Sequence, residues 1–178
     1  LKSASYNFPL EILFLRDDDI PKYVAAGVAD IGIVGENVLA EKGENIDLTL
    51  RMGFSKCRLS LAIRQSEEYQ GIHQFQGQKI ATSYPNLLQN YLESKGVTAE
   101  IHEISGSVEI APSIGLADGV CDIVSSGSTL LANGLKEVEV IFKSEAVMIN
   151  HPQLSSEKRE ILDQLLFRIN AVLRAESY

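Results

Sequence analysis

Cysteine is scarce in this 178-residue chain, and long apolar runs are missing altogether. The two cysteines, Cys57 and Cys121, each lie beside an aliphatic strand pattern and do not form the C-x-x-C spacing of a zinc site. This excludes a cysteine metal centre and predicts two reduced, buried thiols. No apolar stretch approaches the roughly 18 residues of a membrane span, and no signal peptide is visible. We therefore expect a cytoplasmic protein that has no membrane partner.

Basic residues are fewer than acidic ones, 16 against 24, and the formal net charge is −8. This balance argues against a broad basic surface, so we expect no nucleic-acid partner. The acidic charge does not exclude small anionic ligands, because a few backbone amides can bind a phosphate locally. Histidine is also scarce. His73, His102 and His151 have no partner at a catalytic spacing, and we assign none of them a catalytic role.

Short apolar strands alternate with helical patterns along the chain, which predicts an α/β fold with mostly parallel sheets. Two segments, 27–39 and 119–130, share the pattern Gly-Val-x-Asp-Ile followed by small residues, a glycine and a helix start. Such an internal sequence repeat is typical of two similar lobes, which would bind a ligand in the cleft between them. We place the first lobe at residues 1–64 plus 144–178, and the second at 65–143.

The second of these segments ends a predicted strand in a run of hydroxyl side chains around one glycine, SSGST at 125–129. Backbone N–H groups at the start of the following helix lack intrahelical acceptors, and the helix dipole favours an anion there. Gly127 would let a ligand approach closely, and Asp122 precedes the run as an acceptor for sugar hydroxyls. The run therefore predicts a cradle for a ribose 5-phosphate. The alternative is an ordinary helix cap, since serine, threonine and glycine are common there and the lysine of a P-loop is missing.

A longer pattern runs from Glu109 to Leu130: E-x5-G-x-A-x2-V-x-D-I-x2-S-G-x-T-L. It resembles the signature of the ATP phosphoribosyltransferase family. The segments "RDDDIP", "VADIGIVGENVL", "KIATSYPNLL" and "NGLKEVEVI" are similar to the same family. The resemblance implies a fold like that of type II periplasmic binding proteins. It also implies the first step of histidine biosynthesis, in which N1 of ATP displaces pyrophosphate from 5-phosphoribosyl-1-pyrophosphate (PRPP), with Mg²⁺ accompanying the pyrophosphate.

The resemblance also implies roles for residues in the second lobe. Asp122 would hold the ribose hydroxyls of PRPP. The 5-phosphate would be held by Ser125, Ser126, Gly127, Ser128 and Thr129. Glu109 opens the signature and would reach the ribose or the adenine amine, or serve only to begin a helix. Tyr84 would stack on adenine, or pack the turn against Pro85.

The segment "RDDDIP" begins with Arg16, which the resemblance identifies as the cation that faces the pyrophosphate or the ATP phosphates. The alternative is a strand-end arginine paired with Asp17 or Asp18. Three roles are open for Asp17, Asp18 and Asp19: they bind Mg²⁺ through water, orient Arg16, or favour the N-terminus of the following helix. The set of metal-binding residues stays open at this point.

The chain begins at Leu1 and stops just after a helical pattern, and we expect it to be part of a longer polypeptide. The acidic segment resembles the long form of the family, whose members have a further N-terminal segment and a C-terminal regulatory domain that binds histidine. The family relation implies a homo-oligomer, a dimer or larger. We expect weakened or absent activity of these residues alone and no inhibition by histidine. The competing class is a non-catalytic type II module that binds a solute or an effector.

Overall fold

A computed structural model describes residues 1–175, which form short strands and helices. The strands are β1 (Lys2–Ala4), β2 (Glu11–Leu13), β3 (Ile31–Gly35), β4 (Asp47–Arg51), β5 (Cys57–Arg64), β6 (Lys79–Thr82), β7 (Glu100–Glu103), β8 (Gly119–Val124), β9 (Leu135–Ser144) and β10 (Ala146–Asn150). The α-helices are α1 (Ile20–Ala25), α2 (Glu36–Lys42), α3 (Pro85–Ser94), α4 (Ser128–Ala132) and α5 (Ser156–Ala175), and short 3₁₀ turns lie at Asp17–Asp19, Ile72–Phe75 and Val108–Ile110. Within this range no helix combines the length and the apolar composition that a bilayer crossing requires.

The chain forms two compact units. Unit 1 contains Leu1–Ser55 and the segment from Glu145 onward, and unit 2 contains Lys56–Ser144. The sequence assigned the strand at residues 57–64 to the first lobe, but this strand pairs inside the sheet of unit 2. The expected end of the first lobe at residue 178 lies outside the described residues.

Unit 1 has an antiparallel sheet in the order β3-β10-β4 and a separate β1–β2 hairpin. Its core is formed by aliphatic residues of the sheet, α1 and α2: Val24, Val34, Val38, Val147 and Ile149. Pro21 lies in the first turn of α1, where its missing N–H costs no hydrogen bond. Gly43 ends α2 in the left-handed conformation, with a φ of 62°. Proline and glycine are the residues typical of these two helix boundaries.

Unit 2 has a five-stranded sheet in the order β7-β6-β8-β5-β9. β6 is parallel to β7 and β8, whereas β5 is antiparallel to β8 and β9. A core that includes Leu59, Leu61, Ile80 and Leu88 packs β5 and β6 against α3. A second core contains Leu130 of α4. The hydroxyl run therefore lies between a buried strand end and a helix that is anchored to the sheet.

The expected excess of parallel strands is wrong. Among the described residues, only the two pairings of β6 are parallel, and the other strand pairs of both units are antiparallel. Parallel neighbours need a crossover connection, usually a helix, such as α3 between β6 and β7. β5 and β10 instead pair with strands that are distant in sequence, β5 with β8 and β9 and β10 with β3 and β4, and all four pairings are antiparallel. After β7 the chain forms a 3₁₀ turn and short irregular turns before β8.

A carboxylate on β9 binds two tyrosines in unit 2. Tyr69 and Tyr91 donate their hydroxyl hydrogens to the two oxygens of Glu139, each at 2.7 Å. Burial and the Glu139 hydrogen bond raise the pKa of Tyr91 to about 12. The hydrogen bonds from Tyr69 and Tyr91 lower the pKa of Glu139. The ionised carboxylate therefore holds α3, through Tyr91, against β9.

Glu139→Gln should lower the free energy of unfolding by about 1 kcal/mol at neutral pH, because an amide is a weaker acceptor and solvent screens this half-buried group. In the folded protein the pKa of Glu139 lies below its usual value of 4.5, so its contribution is complete above that pH and disappears as the pH falls through the lower value. Urea titrations at several pH values should show the difference between the two proteins shrinking in acid. The exposed Glu103→Gln variant should stay within about 0.5 kcal/mol of the parent. A difference that does not change with pH would contradict this role.

Candidate phosphate-binding site

The hydroxyl run forms a bend between β8, which ends at Val124, and α4, which begins at Ser128. Gly127 lies between them with a φ of 84°, in the left-handed region that glycine adopts without steric cost. In the described structure, a Cβ at this position would meet Val124 Cγ1 at 3.9 Å, an ordinary contact. Backbone conformation, rather than lack of space, is therefore what requires glycine here.

The hydroxyl side chains of the bend are exposed: Ser125, Ser126, Ser128 and Thr129. The hydroxyl oxygens of Ser126 and Ser128 lie 2.9 Å apart, and the Ser128 N–H points to Ser126 Oγ at a longer 3.4 Å. The first amides of α4 have no acceptor in a preceding helical turn. Hydroxyl and amide donors thus lie together at an exposed bend, which is an arrangement that suits a phosphate monoester.

Asp122 lies on β8 shortly before the bend, opposite Ser60 of β5. It is half-buried, and its Oδ1 accepts the N–H of Ile123 at 2.7 Å. Burial raises the pKa of Asp122, and the charge of Glu109 raises it further. Glu109 lies in the 3₁₀ turn Val108–Ile110, in the same unit. The structure therefore brings these two predicted site residues close enough to interact.

Tyr84 connects β6 to α3 in unit 2. Its N–H donates to Thr82 Oγ1 at 2.9 Å, and its carbonyl accepts the Leu88 N–H at 3.1 Å. The half-buried ring packs against the core that includes Leu59. These contacts support the packing role, and contact with a nucleotide stays a prediction.

Arg16 and the acidic run lie in unit 1. Arg16 is exposed and precedes the 3₁₀ turn Asp17–Asp19. Asp17 Oδ1 accepts the Asp18 N–H at 3.0 Å, and an oxygen of Asp18 lies 3.8 Å from Lys42 Nζ. Arg16 forms no ion pair within residues 1–175, so its expected alternative pairing with Asp17 or Asp18 is wrong. The guanidinium is therefore open to a phosphate.

The acidic run does not form a metal cage. Nowhere in the described part of the chain do three or more His, Cys, Asp or Glu side chains cluster so that they could hold a metal ion. Asp17, Asp18 and Asp19 are consecutive and exposed. Because Mg²⁺ keeps several water ligands and commonly binds one or two carboxylates together with substrate phosphates, these residues fit contact through water.

Sequence reasoning missed Arg58, which contacts the bend. Its Nη1 donates to the carbonyl of Ser125 at 3.2 Å. Its Nε and Nη2 donate to the two oxygens of Glu137, the latter at 2.5 Å, and Ser60 Oγ donates to the same carboxylate at 2.8 Å. The signal that could have found this group is the alternation of Arg58 and Ser60 with apolar residues in β5, which directs both side chains to one face.

An apolar groove of about 560 Å³ lies within unit 1. It is lined by β2 and the two residues before it, β3 and α5, including Ile12, Ile33 and Leu162. Of the described residues that the sequence assigned to a functional site, none lines this groove. It is therefore separate from the candidate site.

A family model described as ATP phosphoribosyltransferase (HisG) matches residues 16–171. The chain belongs to the ATP phosphoribosyltransferase family. A relative from Cytophaga hutchinsonii, named ATP phosphoribosyltransferase, is 64% identical over 176 residues, which are 99% of this chain and 62% of the relative. The chain thus spans about three fifths of the length of the curated ATP phosphoribosyltransferases that it matches.

Solved structures agree with this family and its fold. A chain of the ATP phosphoribosyl transferase (HisG:HisZ) complex from Thermotoga maritima is similar with a TM-score of 0.83 and 31% identity, over 98% of this chain and 88% of that chain. The periplasmic aliphatic sulphonate-binding protein SsuA from Escherichia coli has a TM-score of 0.61 and 12% identity, over 90% of this chain and 62% of that chain. The second likeness concerns the fold alone. The two-lobed α/β fold of the type II periplasmic-binding-protein kind is therefore confirmed for this member of the ATP phosphoribosyltransferase family.

Proposed function

We propose that this protein transfers the 5-phosphoribosyl group of PRPP to N1 of ATP and releases pyrophosphate, the first step of histidine biosynthesis. Membership of the family supports this reaction, because the match covers residues of both units. The observation that carries the proposal is the exposed bend at 125–129 beside the half-buried Asp122. A ribose 5-phosphate substrate needs a phosphate cradle next to a carboxylate, whereas a receptor for free amino acids does not.

The bend binds the 5-phosphate of PRPP in this proposal. Its hydroxyl groups and the leading amides of α4 donate hydrogen bonds, and the local dipole favours the negative charge. Gly127 maintains the left-handed conformation on which the arrangement depends. Local donors matter in this protein because its net charge of −8 repels an anion from most of the surface.

Asp122 accepts hydrogen bonds from the ribose hydroxyls in the same proposal. An ionised carboxylate is a stronger acceptor than a neutral group. Since Oδ1 already accepts the Ile123 N–H, Oδ2 is the oxygen assigned to the sugar. Glu109, whose charge reaches Asp122, supplies a second acceptor for the ribose or the adenine amine.

Arg16 stabilises the departing pyrophosphate. Transfer builds negative charge on this leaving group while positive charge develops at the ribose, and a cation placed at the developing charge lowers the barrier. An exposed guanidinium can form a bidentate contact with a phosphate. Mg²⁺ enters as the Mg²⁺–PRPP substrate and neutralises phosphate charge when bound. Asp17 and Asp18 are the residues assigned to its water ligands.

ATP is the proposed acceptor substrate, and Tyr84 is the residue assigned to its adenine. The ring is half-buried, which leaves part of it exposed for stacking. The family relation further supports a homo-oligomer and a cytoplasmic location.

Ligand-dependent thermal unfolding tests this function on the 178-residue protein itself. PRPP with Mg²⁺ should raise the unfolding midpoint by several degrees, since a ligand at about 100 times its Kd stabilises a fold by about 2.7 kcal/mol. Free amino acids and sulphonates should leave the midpoint unchanged. Stabilisation by one of these, and none by PRPP, would identify a solute-binding module instead. Any phosphoribosyl-ATP that mass spectrometry detects in a reaction with ATP, PRPP and Mg²⁺ should form more slowly than with a full-length relative and should be accompanied by an equal amount of pyrophosphate.

A further inference from the structure

A charged pair on β5 and β9 holds the carbonyl at the start of the bend. β5 runs antiparallel to β8, and Arg58 lies directly opposite Val124, the last residue of β8. This register places the guanidinium beside the bend, where Nη1 donates to the Ser125 carbonyl at 3.2 Å. The first peptide group of the bend is therefore tied to a strand of the sheet.

The guanidinium of Arg58 is itself held in one orientation. Nε and Nη2 both donate to the Glu137 carboxylate, and Ser60 Oγ donates to one of the same oxygens at 2.8 Å. A planar fork with two parallel hydrogen bonds cannot rotate without breaking both. The side chains of Arg58 and Glu137 are only 33% and 23% exposed, which limits competition from water. Nη1 therefore stays directed at the bend.

Because a peptide group is planar, the orientation of the Ser125 carbonyl also fixes the orientation of the Ser126 N–H. The C=O of Ser125 and the N–H of Ser126 belong to one trans peptide group, so they point in opposite directions. Because the carbonyl is directed toward Arg58, the Ser126 N–H is directed away from it. The orientation of a single peptide group therefore decides whether this amide can donate to a ligand on the outer side of the bend.

We propose that Arg58 is a positioning residue for the phosphate cradle: held by Glu137 and Ser60, it locks the Ser125–Ser126 peptide so that the Ser126 N–H donates to the phosphate of the ligand. This inference rests on the proposed function of the bend. Arg58 acts by geometry rather than by charge, since the Glu137 carboxylate neutralises it. A cation that lacks the planar fork is therefore not sufficient at this position.

Isothermal titration calorimetry with ribose 5-phosphate and with Mg²⁺–PRPP tests the proposal on the 178-residue protein. Arg58→Met should weaken both ligands about tenfold, the order of effect expected when one preorganised donor is lost. Arg58→Lys should recover only part of this loss, because an ammonium group cannot bind Glu137 and the Ser125 carbonyl in the same fork.

Arg64→Met is the matched control. Arg64 lies on the same strand and also donates to a carboxylate and a carbonyl, those of Glu67 at 3.0 Å and Pro112 at 2.7 Å. It lies at the opposite end of β5 from Arg58. Its loss should change stability but leave both affinities within about twofold, since distant sites act independently.

A second variant separates positioning from stability. Arg58→Met leaves the Glu137 carboxylate without its partner, which destabilises the fold independently of the bend. The double variant Arg58→Met/Glu137→Gln removes both charges and should bind ribose 5-phosphate as weakly as the single variant. In ¹⁵N NMR spectra the Ser126 amide resonance should move when ribose 5-phosphate is added to the unsubstituted protein, and should not move in either variant.

The outcomes distinguish this inference from the function on which it rests. An unchanged affinity in both Arg58→Met proteins, with a Ser126 amide that still responds, would overturn the positioning role and leave the proposed function standing. An equal loss in Arg64→Met would also overturn it, because the effect would then not depend on the bend. Failure of the unsubstituted protein to bind either ligand would overturn both proposals.

Discussion

Gly127→Ala should weaken the binding of Mg²⁺–PRPP about 100-fold, while lowering the free energy of unfolding by only about 1 kcal/mol. Gly127 has a φ of 84°, where a side chain collides with its own backbone. Alanine relieves this collision by moving φ toward negative values, and the neighbouring amides and the hydroxyls of Ser126 and Ser128 turn with it. Because several donors lose their direction together, phosphate binding suffers more than the fold does.

Gly134→Ala is the control for backbone strain. Gly134 follows α4 with a φ of 69°, and within the described structure no atom beyond its two chain neighbours lies within 4 Å of a Cβ placed there. The variant should lose a similar amount of stability in urea denaturation and keep the affinity of the parent protein in calorimetry. If both glycine variants lose affinity equally, general destabilisation explains the result and the cradle does not.

Asp122→Asn should weaken Mg²⁺–PRPP binding by about 100-fold. Hydrogen bonds to a charged acceptor are stronger than those to a neutral amide, and the amide nitrogen of asparagine cannot accept a hydrogen bond from a hydroxyl. Asparagine has the same shape, so the Ile123 N–H keeps an acceptor, and what changes is the charge of the acceptor that the proposed function assigns to the ribose hydroxyls. The free energy of unfolding should not fall. Burial raises the pKa of Asp122, which means that its ionised form costs the fold stability at neutral pH, and asparagine removes that cost.

The pH dependence of binding follows from the same raised pKa. If the sugar binds the ionised carboxylate, as we propose, affinity for PRPP should decline in acid, starting at a higher pH than with an ordinary aspartate. Asp122→Asn should lose this dependence. Calorimetric titrations of both proteins across the acidic range measure it.

Asp118→Asn is the matched control for the aspartate. Asp118 directly precedes β8, and its Oδ2 likewise accepts a backbone N–H, that of Lys79 at 2.8 Å. Its replacement should leave the affinity and the pH profile unchanged. A loss equal to that of Asp122→Asn would contradict a specific role for Asp122.

The candidate site was predictable where its residues are neighbours in sequence. Asp122 and the bend at 125–129 belong to one contiguous pattern, and the conformational freedom of Gly127 is a property of the residue itself. Arg58 was not predictable, because its partner Glu137 and its target Ser125 lie on two other strands. Only the pairing of β5 with both β8 and β9 brings the three together.

The sequence by itself determined the alternation of strands and helices, the bend after β8 and the family of this protein, because proline and glycine preferences, apolar periodicity and a contiguous motif act over a few residues. The tertiary structure decided the direction of most strands, the unit to which β5 belongs and the fork of Arg58 on Glu137. Strand direction depends on which strands pair, including strands that are distant in sequence, and residue patterns within a strand are similar for parallel and antiparallel pairing. Contacts such as that between Arg58 and Glu137 form only when these distant strands have paired.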